Sequence, residues 1–365
     1  MIRKRLYTCF VVLFLAFVAK SASATTYTWT GLGLNTNWNN NANWSPATGH
    51  PGSGDVAQIG VAAFIGTQPT INTTGLSCTT LTIGSATTVT LTVSNAFSVS
   101  GTININGSCT ITGSATLTGA NLSVTAGTLT QNCPINITSG ITVTSAAISG
   151  GSSATFTVGS NGISFVSSTI TLNGVLTCSG VVQVPSTVGT TCTLTTNATG
   201  NSLSGGIYDH TDANLTWNGS GTSTCSQGDV SAGQTLTIGS GNTVTFTGAF
   251  ELHGASPLVG LLVNNGTIST NSSFFSDNIS SAVTAITNNS GASITLTGSA
   301  SLSLGAYTSL SNTGTITANS GTSIAAAASS VITNNSGGTI TMTSATLNLS
   351  GNPSTLNNAG TFTQT

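Results

Sequence analysis

Five consecutive residues, 208–212, hold the side chains best suited to acid–base chemistry. Asp209 and Asp212 are three positions apart, His210 between them can titrate near neutral pH, and Trp217 follows closely. Glycosidases use two carboxyl groups in this way, one as acid and one as base. A polar loop between two strands explains the same residues, and one acidic pair without a second cluster is weak support for a catalytic site. We therefore expect no catalytic residue, and Asp209, His210 and Asp212 are the only candidates.

The remaining titratable residues are spread thinly along the chain. Glu251 and His253 alternate on one strand and would share a face, but two ligands make a poor metal site. His50 stands between Gly49 and Pro51, which is typical of a turn. Asp229 and Asp277 are isolated in the sequence. We expect no metal site and no cofactor.

The distribution of charge excludes several functions. All four basic residues lie within the first twenty positions, and six acidic residues and three histidines are spread over the rest. Without Lys or Arg the remaining chain cannot neutralise phosphates, so we expect no nucleic-acid partner. It also has no lysine nucleophile, and no cation to hold the carboxylate of an acidic sugar. We expect a protein that is not an enzyme.

The segment 1–24 has the three parts of a secretory signal peptide. A basic start at 3–5 precedes an apolar run at 10–18, and Ala22-Ser23-Ala24 is a small-residue cleavage site. The apolar run is too short for a typical membrane-spanning helix, and no later segment is long and apolar enough. We expect cleavage after Ala24, export from a bacterial cell, and a mature chain that is secreted or held at the cell surface.

Alternation of residue types predicts an all-β chain. Charged residues make up 3% of the sequence, whereas soluble domains average about 25%. Thr alternates with Ile, Val or Leu in short runs such as 79–83, 88–93 and 243–247, which is typical of strands with one buried face. Gly, Asn and Ser interrupt these runs every few residues, as turns require.

A repeat of about 23 residues is clearest in 261–365. Asparagines precede a Gly-x-Ile-like sequence five times, with spacings of 24, 23, 23 and 23, at Asn265, Asn289, Asn312, Asn335 and Asn358. A fixed period of this size, with short strands and no helix, predicts a parallel β-solenoid over 61–365 whose recurring turns stack these asparagines. We expect about twelve coils and a rod of about 60 Å.

Six cysteines follow the signal peptide: Cys78, Cys109, Cys133, Cys178, Cys192 and Cys225. None is in a Cys-x-x-Cys pair, which argues against zinc. Cys109 and Cys133 are separated by about one coil, so they are expected on neighbouring rungs. There they would form a disulfide or stack as two thiols, and both alternatives stay open.

The segment 25–60 differs from the repeats and is expected to close the first coil. Three of the four tryptophans lie here, at Trp29, Trp38 and Trp44. Its order is Trp-Thr-Gly, Asn-Trp, Asn-Trp-Ser-Pro and then Pro-Gly-x-Gly-Asp-x-x-x-Ile over 51–59. This pattern resembles the start of the passenger region in secreted bacterial β-helix proteins, both autotransporter-type and Bacteroidetes-type surface adhesins. The resemblance implies that Asp55 and the three tryptophans are structural cap residues.

These observations favour a non-catalytic structural or adhesive β-solenoid, such as a matrix rod, sheath, filament or adhesin stalk. One alternative is a carbohydrate-active or carbohydrate-binding β-helix that uses the 207–217 loop, with glycans as ligands. A third is an ice-binding solenoid, although the Thr-x-Thr runs do not fall at one position per period in the sequence. The last residues, 361–365, fit a strand of the repeat without charge or proline. We therefore expect this edge to pair with another copy or with a surface partner.

Overall fold

The strands wind into a parallel β-solenoid with three faces. The computed structural model describes residues 24–151, 154–185, 190–209 and 213–365, except for the side chains of 208 and 209. Nearly all strands belong to two sheets, one of 27 strands and one of 14. Within the described residues there is no α-helix, and the one helical element is a 3₁₀ turn at Asn41–Asn43. The predicted fold class is confirmed.

The sheet of 27 strands bends into two faces, because three long strands run through the corner between them: Phe97–Ile105, Leu117–Val124 and Ile135–Thr144. The other strands of the first face are Ser77–Cys78, Phe156–Val158, Leu176–Cys178, Thr199–Leu203, Thr222–Cys225, Thr243–Phe246, Thr267–Thr270, Ser293–Leu296, Thr315–Ala318, Thr339–Met342 and Thr361–Gln364. The other strands of the second face are Thr26–Trp29, Trp44–Ser45, Val56–Ile59, Thr80–Ile83, Gly162–Val166, Val182–Gln183, Ile207–Asp209, Gly228–Val230, Phe250–Leu252, Phe274–Ser276, Ser301–Leu304, Ser323–Ala326 and Thr346–Leu349.

The sheet of 14 strands forms the third face, with one strand per turn of the solenoid. Its strands are Thr70–Ile71, Val89–Val93, Cys109–Thr112, Thr128–Asn132, Ala147–Gly150, Thr169–Leu172, Thr190–Thr196, Ala213–Asn218, Thr235–Ile238, Leu261–Asn264, Val283–Asn288, Thr308–Asn312, Val331–Asn334 and Thr355–Asn358. A separate hairpin pairs Gly254–Ala255 with Leu258–Val259.

The period-two pattern places aliphatic side chains inside the coil and hydroxyls outside. In Thr315–Ala318, for example, Ile316 and Ala318 are buried while Thr315 and Thr317 face outward. Parallel pairing stacks each aliphatic residue on its equivalent in the next turn, so the core is one continuous column of Ile, Leu, Val and Phe. Burial of this column, repeated at each turn, is the main source of stability.

The number of coils is larger than expected. The third face has about fourteen turns, whereas a uniform coil length predicted about twelve. Coils near the N-terminal end are shorter, since Thr90 stacks on Thr110 and Thr110 on Thr130. Later turns are longer, since Thr315 stacks on Thr339. The repeat at 261–365 therefore overestimated the coil length near the N-terminal end.

The recurring asparagines form two columns, whereas the sequence predicted that they stack in one. The side chains of Asn264, Asn288, Asn312, Asn334 and Asn358 line up in the first column, where each amide donates to the next at 2.7–2.8 Å. Asn265, Asn289 and Asn335 follow these positions in a second, half-buried column, where Asn289 donates to Asn265 at 2.7 Å. The prediction that all five turn residues share one column was wrong, since Asn312 and Asn358 belong to the first.

Three tryptophans pack against one another and against the first coils. Trp29, Trp38 and Trp44 are all fully buried. Trp44 meets Trp29 and Trp38 edge to face, with ring centroids 5.0 and 4.7 Å apart, and Trp38 in turn meets Phe97 of the solenoid. The Asp55 carboxylate accepts from the backbone N–H groups of Thr25 and Gly52, which ties the chain start to the turn before strand Val56–Ile59.

Cys109 and Cys133 do not stack on each other. The short coil in this region places Leu129 opposite Cys109, whereas Cys133 lies on the corner after strand Thr128–Asn132. Both are free, buried thiols, so the predicted neighbouring register was wrong and no disulfide joins them. Burial raises the pKa of Cys109 to about 12 and that of Cys133 to about 11, and both thiols are therefore protonated at neutral pH.

Candidate functional site

The residues predicted to be the best catalytic candidates lie mostly outside the described residues. Asp209 ends the strand Ile207–Asp209 on the second face, but its side chain, His210 and Asp212 are not described. Trp217 points into the core, where it is fully buried and its Nε1 donates to Thr196 Oγ1 at 3.0 Å. The assignment of Asp209, His210 and Asp212 as candidates stays a prediction.

A different cluster of titratable side chains forms on the second face, around His253. Its Nε2 lies 3.0 Å from Asp229 Oδ2 and 3.2 Å from Glu251 Oε2, and its Nδ1 lies 3.4 Å from Asp277 Oδ2. Half of the six acidic residues of the chain therefore meet at one imidazole. We call these four residues the His253 cluster.

The coil period brings the cluster together. Asp229 and Glu251 are opposite residues on the adjacent strands Gly228–Val230 and Phe250–Leu252. His253 and Asp277 each follow the last residue of a second-face strand, and their backbone N–H groups donate to the preceding turn, at Val230 and Leu252. The side chains thus come from three successive turns of one face.

A close approach of backbone fixes the position of Asp277. The backbone N–H of Gly254 donates to Asp277 Oδ2 at 3.1 Å. A Cβ at position 254 would lie 2.8 Å from Ile279 Cγ2 and 3.1 Å from Asp277 Cβ. A larger residue would therefore push these chains apart, so glycine is required here for packing.

The electrostatics favour a protonated histidine. Partial burial of His253 lowers its pKa, but the charge of Asp229, the hydrogen bonds to Asp229 and Asp277 and the charge of Asp277 outweigh burial and raise the pKa above its ordinary value. The side chain is 39% exposed, so water screens these interactions in part. Three carboxylates around one imidazolium leave the cluster with a net negative charge.

This arrangement can bind a proton or a cation. One donor atom each from Asp229, Glu251 and His253 lies within 4.8 Å of the others, which is compatible with a shared metal ion. Imidazole and carboxylate suit several divalent metals, but a cation would have to displace the proton from His253. The cluster consists of carboxylates and one imidazole, so the ionic interactions described above are the chemistry that its geometry shows.

The prediction that Asp229 and Asp277 are isolated, and that Glu251 and His253 provide only two ligands, was wrong. The signal was present in the spacing, because the step from Asp229 to Glu251 and the step from His253 to Asp277 are each about one coil. Sequence reasoning treated each residue by its neighbours in the chain and did not apply the repeat to the charges.

Two concavities lie elsewhere on the described surface. One of about 420 Å³ on the second face is lined by uncharged side chains, among them Asn121, Ser123 and Gln183. Another of about 430 Å³ near the N-terminal end is lined mainly by apolar residues, including Leu32, Phe64 and Ile65. Neither lining contains a residue able to transfer a proton, so neither has the acid–base groups of a hydrolase.

The part of the chain that the structure describes is a β-solenoid with hydroxyl-rich sides and one cluster of charged side chains, around His253. Comparisons with protein-family models, with curated proteins and with solved structures found no match. In the described residues, no helix has the length and apolar character that crossing a membrane requires.

Proposed function

We propose that the chain is a non-catalytic structural or adhesive β-solenoid of the extracellular space or cell surface. The observation that supports this most is the solenoid itself, about fourteen turns whose outward residues are mostly Thr and Ser. Such a rod is about 62 Å long, which suits repeated contacts along a matrix or with a target.

The distribution of charge and the N-terminal segment also support this proposal. The export signal expected at 1–24 would remove every Lys and Arg, leaving a chain that cannot form salt bridges through basic side chains. Solenoids hold together mainly by stacking of neighbouring turns, so the fold does not require ion pairs formed by Lys or Arg. The resemblance of 25–60 to the start of secreted adhesins points in the same direction.

Shape is the direct test. The secreted protein should appear in negative-stain electron microscopy as rods of about 62 Å, single or joined end to end. Globular particles of another shape would contradict the proposal. A parallel screen against polysaccharides checks the enzymatic alternative, in which Asp209→Asn or Asp212→Asn would abolish hydrolysis of a glycan that the unmodified protein cleaves.

Export can be tested on the same material. The intact mass of the secreted chain should correspond to cleavage after Ala24. Trypsin should leave the urea-unfolded chain uncut, because no Lys or Arg follows Lys20. Tryptic fragments from secreted protein would place the processing site upstream of Lys20.

A further inference from the structure

The first face carries a two-column array of hydroxyls along its C-terminal half. Each of seven consecutive strands presents two outward residues, separated by one inward residue. The pairs, from turn to turn, are Thr222 and Thr224, Thr243 and Thr245, Thr267 and Ser269, Ser293 and Thr295, Thr315 and Thr317, Thr339 and Thr341, and Thr361 and Thr363. We call these residues the threonine array. None of them is buried.

Strand geometry makes the array periodic in two directions. Parallel neighbours repeat about every 4.8 Å along the solenoid, and the two columns are about 6.6 Å apart along each strand. The array is therefore about 29 Å long, without interruption. A surface of this regularity matches a ligand that is itself a lattice, whereas one small molecule would use only a few of its hydroxyls.

Stacked core residues hold the array in place from below. The residues between the columns include Val244, Ile268 and Ile316, which are fully buried and stack in register. The buried asparagine column adds hydrogen bonds, since Asn288 Nδ2 donates to the carbonyl of Thr315 and Asn334 Nδ2 to that of Thr361. These contacts restrict the motion of the strands, so little conformational entropy is lost when the surface binds a ligand.

Equivalent rungs of the other two faces lack such an array. The second face carries Asp229, Glu251 and Phe275 in one register column. The third face is interrupted by apolar residues, because Thr235 and Thr237 lie opposite Leu261 and Val263. The seven strands of the array are described completely, and none of their outward residues is charged or aromatic. One outward pair therefore falls at the same register position of the first face in every turn of this region, although a Thr-x-Thr run also occurs on the third face at Thr235 and Thr237.

We propose that the threonine array binds the surface of an ice crystal. Each Thr offers a hydroxyl that donates and accepts hydrogen bonds, and a methyl group that limits where neighbouring water can sit. Two columns at fixed spacing can order a layer of water that continues into the crystal. Ice carries no charge, which agrees with an array that consists of uncharged hydroxyl residues.

Other occupants fit the array less well. Protein partners are usually held by aromatic or Arg anchors in pockets, and the array provides neither. Soluble sugars bind in concave sites with a few convergent polar groups, and neither concavity described above is lined by a residue of the array. The inference rests on the proposed adhesive role of the rod and specifies its target.

Ice adsorption of fluorescently labelled, signal-free protein is the test. The unmodified protein should coat a growing ice crystal, restrict its shape and slow its growth. Thr317→Tyr places a bulky ring at the middle of the array and should remove most of the ice-bound protein. Thr333→Tyr is the matched control, since Thr333 faces outward from the third face in the same turn, and it should bind as the unmodified protein does.

Several outcomes would overturn the proposal. These are absence of binding by the unmodified protein, equal loss in both variants, and adsorption to crystalline cellulose or chitin but not to ice. Self-association that Thr317→Tyr abolishes, with no ice binding, would instead make the array an interface between copies. Circular dichroism must give the same β spectrum for both variants. A protein that does not bind ice can still appear as rods in electron microscopy. The two experiments therefore distinguish failure of the ice-binding proposal from failure of the proposed function.

Discussion

The imidazole Nε2 of His253 lies 3.0 Å from Asp229 Oδ2, although 24 residues separate them in the chain. The contact joins two successive turns of the solenoid on its second face. Glu251 and Asp277 complete the surroundings of the imidazole at 3.2 and 3.4 Å. In a chain without basic residues after Lys20, a protonated His253 is the main cation available to balance these carboxylates.

Stability should depend on pH through His253. Its pKa is raised in the folded state, so the stabilisation is fully present below the unfolded value of about 6.5 and is lost as pH rises through the higher folded value. The melting temperature of the unmodified protein should therefore exceed that of His253→Gln most near pH 5.5, and the difference should shrink above neutral pH. Thermal unfolding followed by circular dichroism measures both.

His50→Gln is the control for this experiment. The Nδ1 of His50 lies 2.9 Å from the amide oxygen of Asn41, an uncharged partner, so the substitution should change stability little. Sodium chloride should reduce the effect of His253→Gln, because the cluster is partly exposed. A difference that grows with rising pH would contradict a protonated His253.

The buried asparagine column should contribute to stability at each turn. Asn312 accepts from Asn288 and donates to Asn334, Gly314 and Thr339, and it is fully buried. Asn312→Ala leaves several of these partners unsatisfied and should lower the free energy of unfolding by about 1–3 kcal/mol. Urea unfolding measures the change.

Asn335 is the comparison residue for the column. It is half-buried and donates to Ser311 Oγ at 3.0 Å, so Asn335→Ala should cost less than Asn312→Ala. If both variants lose the same free energy of unfolding, burial does not make the hydrogen bonds of the first column more stabilising than those of the second.

The fold class could be predicted from the sequence because the local strand pattern and the longer repeat both indicate a β-solenoid. Thr alternating with Ile predicts strands such as Thr315–Ala318, and the asparagine period predicts their stacking. Coil number and register were less accessible. The short turns near Thr110 and the longer turns near Thr339 are both compatible with stacked rungs, and only three-dimensional pairing separates them.

The candidate site was less predictable than the fold for a physical reason. Solenoid contacts join residues that are one coil apart, so Asp229 and Glu251 are neighbours only once the local coil length is known. The sequence suggested Asp209 and Asp212 because they are close in the chain, and that measure of distance does not detect contacts between residues that are one coil apart. The threonine array was missed for the same reason, since one fixed period does not align pairs whose spacing changes from turn to turn.

Buried thiols should be unreactive in the folded protein. Burial raises the pKa of Cys78 and Cys109 to about 12, and the reactive thiolate is scarce at pH 8. Iodoacetamide should therefore label neither residue until urea unfolds the chain, as mass spectrometry of peptic fragments would report. Rapid labelling of Cys109 in native protein would contradict the packing of the third face.

The tryptophan cap should protect the N-terminal turns selectively. Trp44 is buried between Trp29 and Trp38, and its Nε1 donates to the Trp38 carbonyl at 2.6 Å. Trp44→Ala removes this packing and should cost about 3–5 kcal/mol locally. Because each turn is stabilised by its neighbours, the loss should spread from the first turns and fade along the rod.

Hydrogen exchange resolves where the Trp44→Ala loss falls. Amides of Ile59 and Ile71, in the turns beside the cap, should exchange faster in the variant, while that of Ile340 should exchange as in the unmodified protein. Trp44→Phe keeps most of the apolar volume but lacks the N–H donor, so it should show a smaller change with the same gradient. Uniform acceleration along the whole chain would mean that the solenoid unfolds as one unit and that the cap is not a separate closing element.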